Sequence, residues 1–510
     1  MREVLYFQAG RFSNFIGTHF WNTQEGYFTY GEDAEEPLVN HDVSFREGVS
    51  RQGDPTFCPR LLLFDRKSNF GALSDVYGDA QDEVDDITAE WNGETVQYHS
   101  EPIRRSEYHA QLAAESAEEH METEEGPHEA QVQESDVKFW SDYSRVNLHP
   151  RGVHRLPDLP DWEDMEGDWV NGADTFERYD EDNDFIEDSF RAFVEECDHL
   201  HGLQVMSDSL TFGGFTHAFL TRFRDDFAKL PCIAFPVLSG LLPDKIDADD
   251  SRAVKKALND ALLVQSLSEL STLTVPVQSP SLWTSGRWSQ DLNLTHDSVY
   301  QTSALLATHI EDVTLPMRLK YNHTDLASIV ASLSWRSDKL FTSLQGAFPL
   351  PATWDAEKLA ETLLYDFSAA CRDTTTRLDP KSTYARTNVS RGMSATEQTS
   401  FSTWAERFRP EPYTLHAPPV PLPSSFPRLL RDAPVQARAL SGLASDASLA
   451  GFFGGYGALA QACLGRHRDV AVRMGLEDDD VRELRDSMWE LEDAYRGEDS
   501  TDSAGMSEDE

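Results

Sequence analysis

MREVLYFQAGRFSNFIGTHFW, residues 1–21, opens with the apolar run Val4-Leu5-Tyr6-Phe7, passes through Gln8-Ala9-Gly10, and continues with Phe12, Phe15, Ile16 and Phe20 at helical spacing behind Ser13, a candidate cap. This reads as strand, glycine turn, helix. Outward from it, Leu61-Leu62-Leu63-Phe64, ending at Asp65 after Asp54-Pro55 and Pro59, predicts a second strand. Leu203-Gln204-Val205-Met206 predicts a third, followed by a loop from Asp208 to Thr216 that carries Gly213-Gly214, and then a helix through Phe219, Leu220, Phe223 and Phe227. Ile233–Leu238 reads as one more buried strand. Strands and helices alternating from residue 1 to about 270 argue for an α/β fold with a parallel sheet.

The chain has 510 residues, of which 39% are hydrophobic, enough for a sizeable core. Its net charge of −45 argues against direct nucleic-acid binding. That charge is concentrated: residues 79–136, 161–198 and 476–510 carry −16, −14 and −12, which leaves −3 for the remaining 379 residues. The pattern suggests acidic insertions and an acidic tail on a nearly neutral body. Within these segments, Ile186, Phe190, Phe193, Val194 and Cys197 form an amphipathic helical stripe. Val481, Leu484, Met488, Leu491 and Tyr495 form another, ahead of a tail expected to be disordered. Deleting 476–510 is expected to leave the core folded.

Five scattered cysteines without a CxxC fit a reducing compartment, and the N-terminus lacks the features of a secretory or mitochondrial leader. These features place the protein in the cytosol or on the cytosolic face of an organelle. No stretch supplies about 20 continuous apolar residues for a membrane span; Leu449–Leu464 reads as a buried helix or loop. The segment 411–427, EPYTLHAPPVPLPSSFP, reads as an extended linker or surface strap.

Two glycine-bearing turns could carry chemistry, because glycine lets the backbone approach a phosphate and a helix start offers N–H donors. One is Gln8-Ala9-Gly10 with Asn14 and Gly17; the other is Gly213-Gly214. Neither matches G-x-x-x-x-G-K-[ST], and each has the plain reading of a structural turn. Cys197, His199 and His201 have metal-ligand chemistry, but no distant matching pair completes a site.

On these residues the opening strand, loop and helix resemble those of eukaryotic tubulins, retaining Gln8, Ala9, Gly10, Asn14, Ile16 and Gly17. PRLLLFD at 59–65 is similar to the second tubulin strand, and CDHLHGLQVMSDSL with the following glycines resembles the approach to tubulin's phosphate loop. AFVEECDHLHGLQV and FWSDYSRVNLHPRG resemble more narrowly the Misato family of tubulin-like proteins. The resemblance implies a Rossmann-type parallel-sheet domain over 1–270 with an acidic insertion at about 79–136. A second α/β domain over 271–410 follows, then the linker at 411–427, helices over 428–497 and a tail at 498–510.

It also implies a vestigial guanine-nucleotide (GTP or GDP) site at Gln8, Gly10, Arg11, Asn14, Gly213, Gly214, Thr216 and Asn259, with no catalytic residue and no metal ligand assigned. Several departures weaken that site. The phosphate loop is shortened to TFGGFT with bulky Phe212 and Phe215, Arg11-Phe12-Ser13 replaces a Gln-Cys-Gly stretch, and Lys67 stands where an acidic residue serves magnesium. The implied function is mitochondrial partitioning, morphology and mitochondrial DNA inheritance without catalysis. Protein partners at the mitochondrial surface or cytoskeleton, or peripheral membrane association, would carry it. The alternative implied by the resemblance is a GTP-binding, filament-forming GTPase.

Overall fold

The computed structural model describes residues 2–29, 36–49, 55–73, 106–118, 132–157, 168–247, 249–334, 340–351, 353–355, 363–368, 382–432 and 434–496. Most of the acidic stretch 79–136 and the tail 498–510 lie outside these residues. The chain begins with strand β1 (Glu3–Ala9) and helix α1 (Arg11–Glu25). β1 is buried throughout: Val4 and Tyr6 pack in one apolar cluster with Phe15, Ile16, Phe20 and Trp21 of α1, while Leu5, Phe7 and Ala9 join another. A strand covered on both faces reads as a near-continuous apolar run, as VLYF does.

An antiparallel pair, β2 (Phe45–Val49) and β3 (Pro55–Pro59), leads to β4 (Leu61–Arg66), helix α2 (Glu107–Glu118) and β5 (Val153–Leu156). Then follow α3 (Trp169–Asn183), α4 (Arg191–Glu195), β6 (Leu200–Asp208), α5 (Ser209–Asp226), β7 (Cys232–Val237), α6 (Ser251–Leu270) and β8 (Leu273–Thr274). Strands β5-β4-β1-β6-β7-β8 form one parallel sheet in that order. The chain leaves β1 toward β4 and later returns to β1's other side as β6. The order therefore reverses between β1 and β6, the place where such sheets bind ligands beyond their carboxyl ends.

The second half contains α7 (Val299–Arg318), α8 (Leu326–Leu333), β9 (Ser343–Ala347), β10 (Tyr365–Asp366), β11 (Thr383–Arg391) and α9 (Ala395–Ala405). It continues with β12 (Tyr413–Ala417), β13 (Val420–Pro421), β14 (Gln436–Ala437), β15 (Ala439–Asp446), α10 (Leu449–Cys463), α11 (Arg468–Arg473) and α12 (Asp478–Tyr495). A second sheet has the order β10-β9-β15-β11-β12. The Pro-rich segment 411–427 thus supplies an edge strand, with Thr387 opposite Tyr413 and Arg391 opposite Ala417. The paired stretch itself is free of proline; Pro412 and Pro418 bound it. β15, from beyond that segment, lies inside the same sheet.

Two stretches that composition alone assigns to acidic additions are built into the core. α3 packs on α5 through glycines: a Cβ on Gly214 would lie 1.9 Å from the Trp169 carbonyl oxygen, and the Phe176 and Phe215 rings meet at 5.2 Å. The stripe from Ile186 to Cys197 begins as a π-helical turn, Ile186–Phe190, and buries Phe190 and Phe193. α12 buries Val481, Leu484, Met488, Leu491 and Tyr495, the five positions its spacing indicates, largely against α10. The Tyr495 hydroxyl donates to the Phe341 carbonyl at 2.9 Å and accepts from its N–H at 2.7 Å. Residues 476–496 are therefore core, and the expectation that 476–510 is dispensable for folding is corrected.

Between the sheets, α7 is buried from Tyr300 to Arg318 although it carries Glu311, Asp312 and Arg318. Arg391 Nη1 reaches Glu311 at 3.1 Å and Asp312 at 2.9 Å, and its Nη2 donates to the Tyr27 hydroxyl at 2.8 Å. Arg318 pairs with Glu311 at 3.0 Å, and Ser441 donates to Asp312 at 2.7 Å. Buried charges persist only when paired in this way. The cluster joins α1, α7, β11 and β15.

Candidate functional site

Beyond β1, Gly10 starts α1 with φ +108°, a conformation that favours glycine. A Cβ there would also lie 2.6 Å from the carboxylate of Asp208, the last residue of β6. Asp208 Oδ2 accepts the Phe12 N–H at 2.8 Å, and Oδ1 accepts the Ser13 N–H at 2.8 Å and the Ser13 hydroxyl at 2.6 Å. The first N–H groups of a helix have no partner within it and form a natural anion site. In this fold a side chain of the neighbouring strand takes them.

Burial pushes the Asp208 carboxyl up to about 6, against the hydrogen bonds from Ser13 and Phe12 and with the nearby charge of Asp65 adding to the rise. A carboxyl whose folded pKa exceeds its unfolded value contributes stability that is complete below the unfolded value and lost as pH rises through about 6. Between pH 7 and pH 5 the wild type is therefore expected to gain about 1 kcal/mol relative to Asp208→Asn. Urea unfolding of both proteins at the two pH values checks this; an unchanged difference would refute it.

A second carboxylate, Asp65 at the end of β4, is fully buried and surrounded by donors. It accepts from Arg66 N (2.8 Å), Asn69 Nδ2 (2.7 Å), Asn14 Nδ2 (3.1 Å) and Trp140 Nε1 (3.0 Å). Burial raises its pKa despite these bonds. The FWSDYSR stretch exists for this side of the fold: Tyr143 donates to the Phe15 carbonyl, and Arg145 pairs with Glu25 at 2.9 Å.

Gln8, Gly10 and Asn14 lie together on β1 and the start of α1. The Gln8 amide is buried against Gly17 and has no hydrogen-bond partner among the described residues. Arg11 is exposed, its guanidinium 5.9 Å from the Phe15 ring. The loop expected over 208–216 is reduced to Leu210 and Thr211, the latter at φ +69°; Gly213, Gly214 and Thr216 are helical and buried in α5. Gly213 and Gly214 admit α3, while the Phe212 and Phe215 rings pack into the core rather than over a ligand. Asn259 lies within α6 and donates to the Lys255 carbonyl at 2.9 Å.

Two residues matter here that sequence reasoning did not single out. One is Asp208. The other is Asp260, which accepts from the Ser209 hydroxyl (2.5 Å), the Ser239 N–H (3.0 Å) and hydroxyl, and Tyr456 (3.3 Å). Burial pushes Asp260 up to about 6 as well. The available signal was Asp208-Ser209 at a strand-to-helix junction, where such residues cap.

An open cleft of about 360 Å³ adjoins Asp208, lined also by Phe12, Leu210, Ser239, His296 and Asp297, with no Lys or Arg among the described residues of its wall. A guanine nucleotide does not fit these residues. Its phosphates would meet N–H donors already engaged by a carboxylate, and neither the second glycine pair nor Asn259 faces the cleft. Asp65 has donors on both oxygens, and among the described residues no group of three His, Cys, Asp or Glu could hold a metal ion. No helix among them is long and apolar enough to cross a membrane.

Residues 2–114 match the model of the Misato Segment II tubulin-like domain, and residues 129–319 match that of the Tubulin domain. The chain is 35% identical to Protein DML1 of Gibberella zeae over 333 residues, covering 64% of this chain and 63% of that one. It is 30% identical to Protein dml-1 of Neurospora crassa (71% and 65% covered) and 29% identical to Protein misato of Drosophila melanogaster (62% and 60%). The matches span less than two thirds of these relatives' length.

Proposed function

We propose, for a chain that belongs to the Misato family of tubulin-like proteins, a non-catalytic role in mitochondrial partitioning, morphology and mitochondrial DNA inheritance, exercised from the cytosolic face of the organelle. The mitochondrial part of this reading comes from the family resemblance. Its non-catalytic part is carried by one observation, the Asp208 carboxylate on the N–H groups at the start of α1. A like charge at the position of a phosphate repels it and denies it donors. The acidic segments recruit basic partner surfaces, and such association weakens steeply with salt.

The rival reading, a filament-forming GTPase with nucleotide at Gly10, Asn14, Gly213 and Gly214, requires donors that the fold uses internally. The test is the nucleotide released when natively purified protein is denatured, together with mitochondrial distribution in cells depleted of it. We expect less than about a tenth of an equivalent of guanine nucleotide, and clustered or unequally inherited mitochondria. Near-stoichiometric GTP or GDP would overturn the non-catalytic half, and normal mitochondrial inheritance would overturn the mitochondrial half. The partner-recruiting role of the tail is tested by ending the chain at Arg496, since removal from 476 takes away core residues.

A further inference from the structure

We infer that Asp208 is an internal occupant of an anion site and is the residue that makes the crevice between β1 and β6 reject phosphate. This rests on the non-catalytic reading above and extends it to a specificity-determining residue. A helix is ordinarily capped by a side chain at its own N-cap. The N-cap of α1 is Gly10, which has no side chain, and the capping carboxylate arrives from a residue nearly 200 positions later. The sequence position is thus remote, while the topology makes it adjacent, because β1 and β6 pair with Ala9 opposite Ser207.

Three donors converge on the two Asp208 oxygens, the Phe12 and Ser13 N–H groups and the Ser13 hydroxyl, at 2.6 to 2.8 Å. This is the arrangement with which a helix start and its adjoining loop hold a phosphate oxygen pair. Gly10 leaves no Cβ in the path, so the carboxylate sits against the backbone as closely as a bound ion would. Asp208 also lines the open cleft, so truncating it joins the vacated volume to solvent-accessible space. Phe212 and Phe215 face the core, and their truncation would open a core cavity and leave the donors engaged.

Removing the internal anion should let an external one replace it. The experiment uses the full chain as wild type, Asp208→Gly and Asp208→Ser, with thermal unfolding followed in sodium formate, inorganic phosphate and pyrophosphate against sodium chloride at matched ionic strength. In both variants we expect formate, phosphate and pyrophosphate to raise Tm by roughly 2–3 °C at about fifty times their dissociation constants, beyond any effect of chloride. The wild type should show no rise beyond chloride. Folded variants without an anion-specific rise, or an equal rise in the wild type, would overturn the inference. A rise with formate alone would overturn its phosphate part.

If a variant does not fold unaided, its refolding yield in phosphate against chloride reads the same equilibrium, and equal yields count against the inference. The outcome is separable from that of the proposed function. A nucleotide-free wild type whose variants gain no anion leaves the non-catalytic reading standing and removes only the role of Asp208.

Discussion

A chain ending at Gly475 is expected to lose cooperative folding altogether, whereas one ending at Arg496 should melt like the full-length protein. α12 inserts Val481, Leu484, Met488, Leu491 and Tyr495 into the cluster it shares with α10 and α6. At about 1.5–3 kcal/mol for each large buried side chain, their removal costs roughly 7–15 kcal/mol, as much as the net stability of an ordinary domain. The lost Tyr495 hydroxyl also leaves the Phe341 backbone N–H and carbonyl unpaired. Circular dichroism melts of the two truncations decide the matter. Equal, cooperative transitions would show that α12 contributes surface rather than core.

Replacing Arg391 by methionine is expected to destabilise the protein by about 3–5 kcal/mol, because it strands the buried Asp312 carboxylate and leaves Glu311 with Arg318 alone. Burial opposes the Arg391 charge, yet Tyr27, Glu311 and Asp312 together raise its pKa above the ordinary arginine value, so the guanidinium is the cation that these groups require. Desolvation drives Asp312 upward even with Arg391 present. In the double variant Arg391→Met, Asp312→Asn the stranded carboxylate is neutral while Glu311 keeps its pair with Arg318, and most of the loss should return. Urea unfolding of the single and double variants measures both effects. A single variant within 1 kcal/mol of wild type would mean that water reaches the cluster.

The fold was legible where side-chain periodicity and topology agree. VLYF and LLLF announced buried parallel strands, and the 3,4,3,4 spacing from Val481 to Tyr495 named the buried face of α12. Composition misled at 168–195, where acidic residues are nearly as many as apolar ones but Trp169, Gly172 and Phe176 still form a contact face for α5. It misled again at 413–417, since proline density suggested a strap and the backbone between the prolines pairs as an edge strand. Within the candidate site, Gly10 and Asn14 were readable from the first turn. Asp208 was hidden because its partners, Phe12 and Ser13, are distant in sequence, and an aspartate in so acidic a chain carries little information by itself. Gly213 and Gly214 suggest room for a ligand, and the structure uses that room for the backbone of α3.

The burial of α7 has a consequence for how the chain is made. Glu311 and Asp312 leave the ribosome well before Arg391 and Ser441, the residues that pair with them. At about 5–20 residues per second, the nascent chain holds this helix without the last of these later partners for roughly 6–25 s. For that interval α7 can rest on α1 but lacks the second sheet on its other side. That side is completed only when the strand at 439–446 has been synthesised, and a chaperone has its longest opportunity to bind during that wait.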